Sequence, residues 1–545
     1  MDFILVNLPP WAQDNPHIGI GYLSAYLRIK DISFKVLDLN KSFFLNQPDF
    51  RMLWHVENKN FWSNENTFPL LLKVFEKDIK QAVDDIAVSG CDVLGFSVVD
   101  PKEKLTIEFI KRIKEKSPGK KIILGGPATS TPEQREVFLE NVGKDIDVFV
   151  IGEGEEILFN LLDRFLQRKG AGDVESCYAR INGKWVCTPR KILPSLEKLP
   201  FPTYEEFDLG LYGKSLLVEW SRGCKGKCAF CKNYRLFSEY RSKSATSIMD
   251  ELKYHRERYG IEDFTVTDSI LNGDLPRLKE VSSRIIKEGL KIQWTGQIAP
   301  NRNMDLDFFK MMKNAGCFKL QIGLESGSNK VLKAMRKTFT AEDSEKNIRF
   351  ASKAGIETEI FIMIGFPSET EKDFQKTYDF IKSNVSYIDT LKSINTLHLI
   401  AGTEVFEERV RFGIKPLNHK GWHYLWETYD GNVYELRKKR AQRLIDLASI
   451  LGIRVMETNI QEGKETIFET IKDKSRQDER IALLKDFVNR LQQLPQKNKV
   501  IKKKKRGLVK WLILISLSIY TFLYIIYFWA YMILRNKVLL GGRKR

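Results

Sequence analysis

The sequence predicts two α/β domains in tandem. Residues 1–190 read as a doubly wound parallel sheet, 191–211 as a linker, and 212–430 as a partial (β/α)6 barrel. Residues 431–496 read as a helical extension, and 497–545 as a basic juxtamembrane segment with one transmembrane helix at 511–534. Three observations carry this prediction. Short apolar runs alternate with helical patterns through both blocks, the pattern of βαβ units and parallel sheets. A stretch with Pro189, Pro194, Pro200 and Pro202 among charged residues separates the blocks. Trp511 to Leu534 is 24 residues without one charge, enough at ~1.5 Å per residue to cross a ~30 Å hydrocarbon core.

In the first block, Phe3-Ile4-Leu5-Val6 reads as a buried strand. A loop with Pro9, Pro10 and Pro16 leads to a helix from Ile18 to Ile29. Further strands are expected at Phe34 to Asp38, Val93 to Ser97, Lys121 to Gly126 and Asp147 to Gly152, with helices over Pro69 to Val88 and Lys104 to Lys116. Open sheets of this kind take ligands at the carboxyl ends of their strands. Gly19-Ile20-Gly21 begins like a dinucleotide fingerprint, with Asp38 near the place of a ribose-binding acid. Ser24 replaces the third glycine, however, and the loop before Gly19 is about a dozen residues rather than a tight turn. Residues 42–68, with Phe43, Phe44, Trp54, Phe61 and Trp62, read as an aromatic loop, either a lid or a packed insertion.

The second block opens with a strand at Leu216 to Trp220, followed at once by Cys224, Cys228 and Cys231 in C-x3-C-x2-C spacing. Three close thiolates can hold a 4Fe–4S cluster and leave one iron open. The amino and carboxylate groups of S-adenosylmethionine (SAM) can chelate such an iron. A zinc site would want a fourth protein ligand, and no Cys or His lies between Cys231 and His255. Strands then recur at Phe264 to Asp268, Ile292 to Gln297, Phe318 to Gly323, Thr358 to Gly365 and near Lys392 to Leu399, with helices between them. Barrel sites gather at the strands' carboxyl ends, where Asp268, Gln297 and Glu325 fall. Cys91, Cys177, Cys187 and Cys317 are scattered and read as buried small hydrophobes. Seven cysteines in 545 residues exclude a disulfide scaffold.

The net charge of +18 invites a nucleic-acid partner, but 13 basic residues and no acidic ones lie between Lys497 and Arg545. The body therefore carries only +5, and no nucleic-acid surface is expected. The flank before the apolar run has eight basic residues and the flank after it five, which places the N-terminus inside. The run KNKVIKKKKR would attract anionic headgroups at about 1 kcal/mol per basic residue. MDFILVNLPP lacks the basic n-region of a signal peptide. The expectation is a single-pass protein of the cytoplasmic membrane, its catalytic domains in the cytoplasm and the lipid bilayer its partner. Residues 431–496 read as basic amphipathic helices, for instance Val433 to Leu451 and Arg480 to Leu494.

Together these motifs resemble radical SAM enzymes that carry a cobalamin-binding domain. In the first block the resemblance rests on Pro16 to Leu27, Leu94-Gly95-Phe96-Ser97, Leu124-Gly125-Gly126-Pro127 and Gly152-Glu153-Gly154-Glu155. In the second it rests on the cysteine loop with Phe230, on Gln321 to Gly327, on Gly365 to Thr370, and on Ala401-Gly402-Thr403 where the family usually has Pro-Gly-Thr. It implies a Rossmann-like cobalamin-binding domain ahead of a radical SAM partial TIM barrel. Cys224, Cys228 and Cys231 would then be the catalytic cluster ligands. SAM contacts are implied at Phe230, Asp268, Gln297, Glu325, Ser326, Gly365 and Pro367, and cobalamin contacts at Gly19, Ser97, Gly125, Gly126, Gly152, Glu153 and Gly154. A cobalt-ligating D-x-H-x-x-G is missing. Its nearest match is Asp14-x-x-His17-x-Gly19, so His17 is expected to be a loop or pocket residue.

The resemblance implies methylation of an unactivated carbon through a 5′-deoxyadenosyl radical and methylcobalamin. The cofactors would be a 4Fe–4S cluster, SAM and cobalamin, and the electron donor a reductase such as flavodoxin or ferredoxin. A cyclase, rearrangement or carbon–carbon coupling enzyme with the same cofactors is the alternative, and a non-catalytic membrane-tethered iron–sulfur module the distant one. The anchor points to a lipid or isoprenoid substrate. His419 and His423, beside Trp422 and Trp426, are candidate acid–base groups.

Overall fold

The computed structural model describes residues 1–233, 237, 239–417, 424–460 and 486. The chain divides into units of residues 1–489 and 490–545, and all described residues belong to the first. The expected transmembrane helix at 511–534, its basic flanks, the helix over Arg480 to Leu494 except residue 486, and His419, Trp422 and His423 lie outside the described residues. Among the described residues no helix is long and apolar enough to cross a membrane.

The first sheet has seven strands: β1 (Phe3–Asn7), β2 (Phe34–Asp38), β3 (Val93–Ser97), β4 (Lys121–Gly125), β5 (Val148–Val150), β6 (Cys177–Ile181) and β7 (Lys184–Cys187). Their order is β2-β1-β3-β4-β5-β6-β7. The first five are parallel, while β6 and β7 add an antiparallel hairpin to the edge. All five residues of β1 are buried, as a central parallel strand with both faces covered requires. The order reverses between β1 and β3, and at such a switch point a doubly wound sheet opens a crevice. The helix Ile18–Ile29 starts there, and His17 caps it by accepting from the Ile20 amide.

The aromatic insertion is core rather than a lid. Phe43, Trp54, Phe61 and Trp62 are buried. Trp62 stacks on Phe75 at 5.4 Å and meets Trp54 edge-on at 5.3 Å. Both indoles also donate, Trp54 to Asn40 and Trp62 to the Leu53 carbonyl. The long helix expected over Pro69 to Val88 is two helices, Phe68–Val74 and Glu76–Val88.

The second sheet contains β8 (Ser215–Val218), β11 (Asp263–Val266), β12 (Gln293–Ile298), β13 (Cys317–Glu325), β14 (Glu357–Ile364), β15 (Thr390–Thr396) and β16 (Arg454–Thr458). They pair in the order β16-β15-β14-β13-β12-β11-β8, all parallel. A ribbon of β9 (Ser221–Arg222) and β10 (Arg241–Ser242) brackets the cysteine loop. Among the described residues the partial barrel thus has seven strands rather than six. The seventh, β16, falls within the segment expected to be wholly helical, after the helix Tyr434–Leu451 ends at left-handed Gly452. Elsewhere helix starts are set by side chains. Thr340 with Asp343, and Thr370 with Asp373, form reciprocal capping boxes, each removing orphan amides from the first turn.

The two sheets share one core cluster. The linker packs between them, with Leu196, Leu199 and Tyr204 buried and the Thr203 amide donating to the Gly21 carbonyl. Lys243 of the barrel donates to Tyr22 of the first domain at 2.9 Å.

Candidate functional site

The cysteine loop leaves the end of β8 and is fixed from three directions. The Trp220 and Ser221 amides both donate to Asp268 at the end of β11, at 2.7 and 3.0 Å. The Ala229 amide donates to the Met335 carbonyl, and the Val405 amide to the Ala229 carbonyl. Ala229 is buried with Val331, Met335, Phe366, Leu397 and Trp426 in one apolar cluster. The thiols themselves are half-buried. The Gly226 amide donates to Cys224 Sγ at 3.3 Å, and the Asn233 amide to Cys231 Sγ at 3.5 Å.

Burial raises the pKa of Cys228 and Cys231, partly opposed at Cys228 by Lys337 and at Cys231 by the Asn233 amide. Such thiols become thiolates when cations neutralise them. Among the described residues no three His, Cys, Asp or Glu converge closely enough to share a single metal ion. Three thiols on one loop, with amide donors to two sulfurs, fit the wider corners of an iron–sulfur cube.

Lys337 is the residue the motifs did not show. Its Nζ lies 2.9 Å from Glu325 Oε1 and 5.1 Å from the Phe230 ring centroid. Burial opposes its charge, but Glu325 and Cys228 outweigh that and hold its pKa above the ordinary lysine value. Glu325 stands at φ +61° beside an irregularity in the β13–β14 register. This turns its carboxylate toward Lys337 rather than along the strand. Lys337, Glu325 and Phe230 therefore form one wall beside Cys228.

The other expected SAM residues divide. Gln297 is half-buried at the end of β12, opposite Gln321. Asp268 is committed to the cysteine strand, and burial raises its pKa to about 6. Ser326 is fully buried, bonded to Thr377 and the Ser328 amide, so it holds the turn. Gly365 and Pro367 are buried. Gly365 has φ +79°, and a Cβ there would meet Arg437 Cδ at 2.1 Å, so a side chain is excluded by the arginine crossing it. Trp426 lies under that same arginine, 3.7 Å from its guanidinium. Of the scattered cysteines, Cys91, Cys177 and Cys317 are buried, but Cys187 is exposed because it ends the edge strand β7.

A cavity of about 320 Å³ opens at the switch point of the first sheet. Gly19, Ser97, Gly125, Gly126, Gly152, Glu153 and Gly154 all line it. Its floor is apolar (Phe3, Leu5, Ile123, Leu158) and its rim polar (His17, Ser97, Glu155, Arg222). Gly126, at φ +104°, is obligatory, since a Cβ would sit 2.4 Å from the Val98 carbonyl oxygen. Glu153 lines the cavity, but its oxygens are taken by Arg222 at 2.9 Å, Arg241 at 2.8 Å and the Leu193 amide. Burial would raise its pKa, yet the two arginines hold it low. His17 stacks on Trp11 at 4.4 Å, and burial and Lys102 lower its pKa to about 3. With Nδ1 accepting from Ile20, the proton of the neutral ring sits on Nε2, which leaves that nitrogen no lone pair for a metal.

Residues 218–381 match the Radical SAM superfamily. The chain is 30% identical over 270 residues to an uncharacterized methyltransferase of Pyrococcus horikoshii, covering 48% of this chain and 57% of that one. It is 24% identical over 312 residues to the anaerobic magnesium-protoporphyrin IX monomethyl ester cyclase of Rubrivivax gelatinosus, covering 55% of each. The chain thus spans just over half the length of these curated relatives. Its fold is similar to that of the cobalamin-dependent S-adenosylmethionine radical enzyme OxsB with aqua-cobalamin and S-adenosylmethionine bound, with a TM-score of 0.63 and 16% identity over 94% of this chain and 75% of that one. The three cysteines lie within the matched span, at the end of the first strand of a curled parallel sheet.

Proposed function

We propose that the protein is a cobalamin-dependent radical SAM C-methyltransferase. The observation that carries this reading is the pairing of two sites in one unit: a three-cysteine loop at the mouth of the barrel and an apolar, glycine-rimmed cavity at the switch point of the first sheet. Cys224, Cys228 and Cys231 would hold a 4Fe–4S cluster. Lys337 and Glu325 supply the cation and the acceptor that the carboxylate and amine of SAM require. The cavity would take cobalamin, without a protein ligand to cobalt, because His17 spends Nδ1 on its helix cap. When bound, the cluster supplies an electron for reductive cleavage of SAM, and methylcobalamin supplies a methyl group. The chain's own part is to bind, to orient and to exclude water.

The test is protein reconstituted anaerobically with iron, sulfide and hydroxocobalamin, reduced by flavodoxin or ferredoxin with its reductase. Formation of 5′-deoxyadenosine from SAM and retention of the corrin spectrum are expected. Absence of either refutes the reading. The likeness to a cyclase favours a second outcome, radical ring formation with the same cofactors. Label from methyl-labelled SAM would enter the product of a methyltransferase and not that of a cyclase.

The uncharged run at 511–534 between basic flanks supports a single-pass anchor with the catalytic unit in the cytoplasm, and that location supports a lipid or isoprenoid substrate. Mass spectrometry of lipid extracts from cells with and without the protein tests this, and an unchanged lipid profile rejects a lipid substrate.

A further inference from the structure

We infer that Glu155 and Arg222 couple the two sites: a corrin amide bound to Glu155 in the cavity shifts the reduction potential of a cluster held by the cysteine loop. The inference rests on the cofactor reading above and adds to it a physical connection between the cofactors.

One end of the connection faces the cavity. Glu155 opens the helix Glu155–Leu166 and lines the cavity, with its side chain only 7% exposed. One of its oxygens, Oε1, accepts from Arg222 Nη2 at 2.7 Å. The other, Oε2, is buried and has no hydrogen-bond partner among the described residues. A buried carboxylate oxygen without a donor is costly to leave so. A ligand filling the cavity completes the site if it presents N–H groups around an apolar body. The primary amides that ring a corrin are donors of that kind.

The other end touches the cysteine loop. Arg222 closes β9, two residues before Cys224, and is 6% exposed. Besides Glu155 it binds Glu153 at 2.9 Å and Glu219 at 2.7 Å. The β9–β10 pairing sets Arg241 opposite it, and Arg241 binds Glu153 at 2.8 Å. Three carboxylates and two guanidiniums are thus locked together, with Glu153 and Glu155 from the first domain and the others from the barrel. The lattice carries one negative charge in excess. Little water reaches it, so a change in its charge distribution is weakly screened at the neighbouring cluster loop.

The direction follows. A donor on Oε2 withdraws negative charge from Glu155. The Arg222 charge is then less compensated, and an added electron on the cluster is favoured. Corrin binding therefore raises the cluster potential. By reciprocity, reduction of the cluster tightens corrin binding by the same factor. A tenfold coupling reads as a 59 mV shift for a one-electron couple.

The experiment uses the full chain carrying its cluster, titrated potentiometrically with and without cob(II)alamin and read by the cluster's own EPR signal. Wild-type protein is expected to shift upward on binding the corrin. Glu155→Gln is expected to keep its cluster, to bind the corrin more weakly and, at saturating corrin, to lose the shift. Arg222→Lys, which keeps the charge but cannot hold three carboxylates, is expected to lose it too. Should either variant fail to fold, corrin affinity of the wild type with oxidised and with reduced cluster decides, and equal affinities overturn the proposal. A corrin-loaded wild type with no shift, or Glu155→Gln shifting as the wild type does, also overturns it while leaving the cofactor reading intact. Protein that takes no corrin overturns both.

Discussion

Replacing Lys337 by methionine removes the one cation from the wall beside Cys228 and keeps most of its volume. Lys337 and Glu325 are 10% and 13% exposed, with Nζ and Oε1 2.9 Å apart. At an effective dielectric of ~20 their attraction is about 6 kcal/mol before desolvation is counted. Breaking a buried pair by removing one partner costs about 3–5 kcal/mol, because the remaining charge is left unpaired. The methionine retains contact with Phe230 and Phe339 and forfeits only the cation–π part, about 1 kcal/mol. The expected loss of stability is therefore about 4 kcal/mol, read as a lower urea midpoint. SAM binding should also weaken, since a charge-assisted hydrogen bond is worth about 1.5–3 kcal/mol, or roughly 10- to 150-fold in Kd. The double variant Lys337→Met with Glu325→Gln separates the two effects. It no longer buries an unpaired carboxylate, so stability should return while SAM affinity stays low. Two results refute the reasoning: SAM binding within threefold of wild type in Lys337→Met with full iron content, or a double variant no more stable than the single one.

Gly365→Ala combines a left-handed backbone with a Cβ 2.1 Å from Arg437 Cδ. About 1–2 kcal/mol for the conformation and about 1–3 for overpacking predict a loss of roughly 3 kcal/mol in chemical denaturation. The Asp268 carboxyl is raised to about 6 by burial, so the native state binds its proton more tightly than the unfolded chain does. Its contribution is fully present below about pH 4 and is lost as pH rises through 6, by about 3 kcal/mol. Subtracting the stability–pH curve of Asp268→Asn from that of wild type should isolate this slope. Trp62→Ala, in the centre of the aromatic insertion, should cost about 3–5 kcal/mol without altering the iron content of the cysteine loop, whereas Cys231→Ser should lose iron and leave the urea midpoint of the metal-free protein unchanged.

What was legible in the sequence is what local chemistry writes. The cysteine spacing and the glycine turns report backbone conformations within a few residues, and the cysteines share one loop as the seven turn residues share one cavity. The alternation of strand and helix was legible for the same reason. Asn182-Gly183, with φ of +49° and +79°, is a hairpin turn signal, but the strands it joins are short and β7 is largely exposed. A short exposed edge strand has little hydrophobic periodicity to read. β16 escaped similarly: Arg454–Thr458 is a five-residue strand of mostly polar residues, placed by pairing with β15. The aromatic insertion shows no sustained period because it is built of short pieces, 3₁₀ turns at Pro48–Trp54 and Val56–Asn58 and a four-residue helix at Asn60–Ser63. Its burial follows from ring-on-ring packing. Asp268 marks a further boundary. A carboxylate at a strand end looks the same in sequence whether it faces a ligand or holds neighbouring amides, and here it holds Trp220 and Ser221. Lys337 meets Glu325 across 12 residues, and Arg222 meets Glu155 across 67. No spacing rule links such pairs, because the fold alone sets them side by side. The motifs therefore mark where cofactors would sit, while the charges beside those places are set by tertiary structure. Relatives that keep the motifs but exchange Lys337, Glu155 or Arg222 should hold the same cofactors at different potentials and affinities.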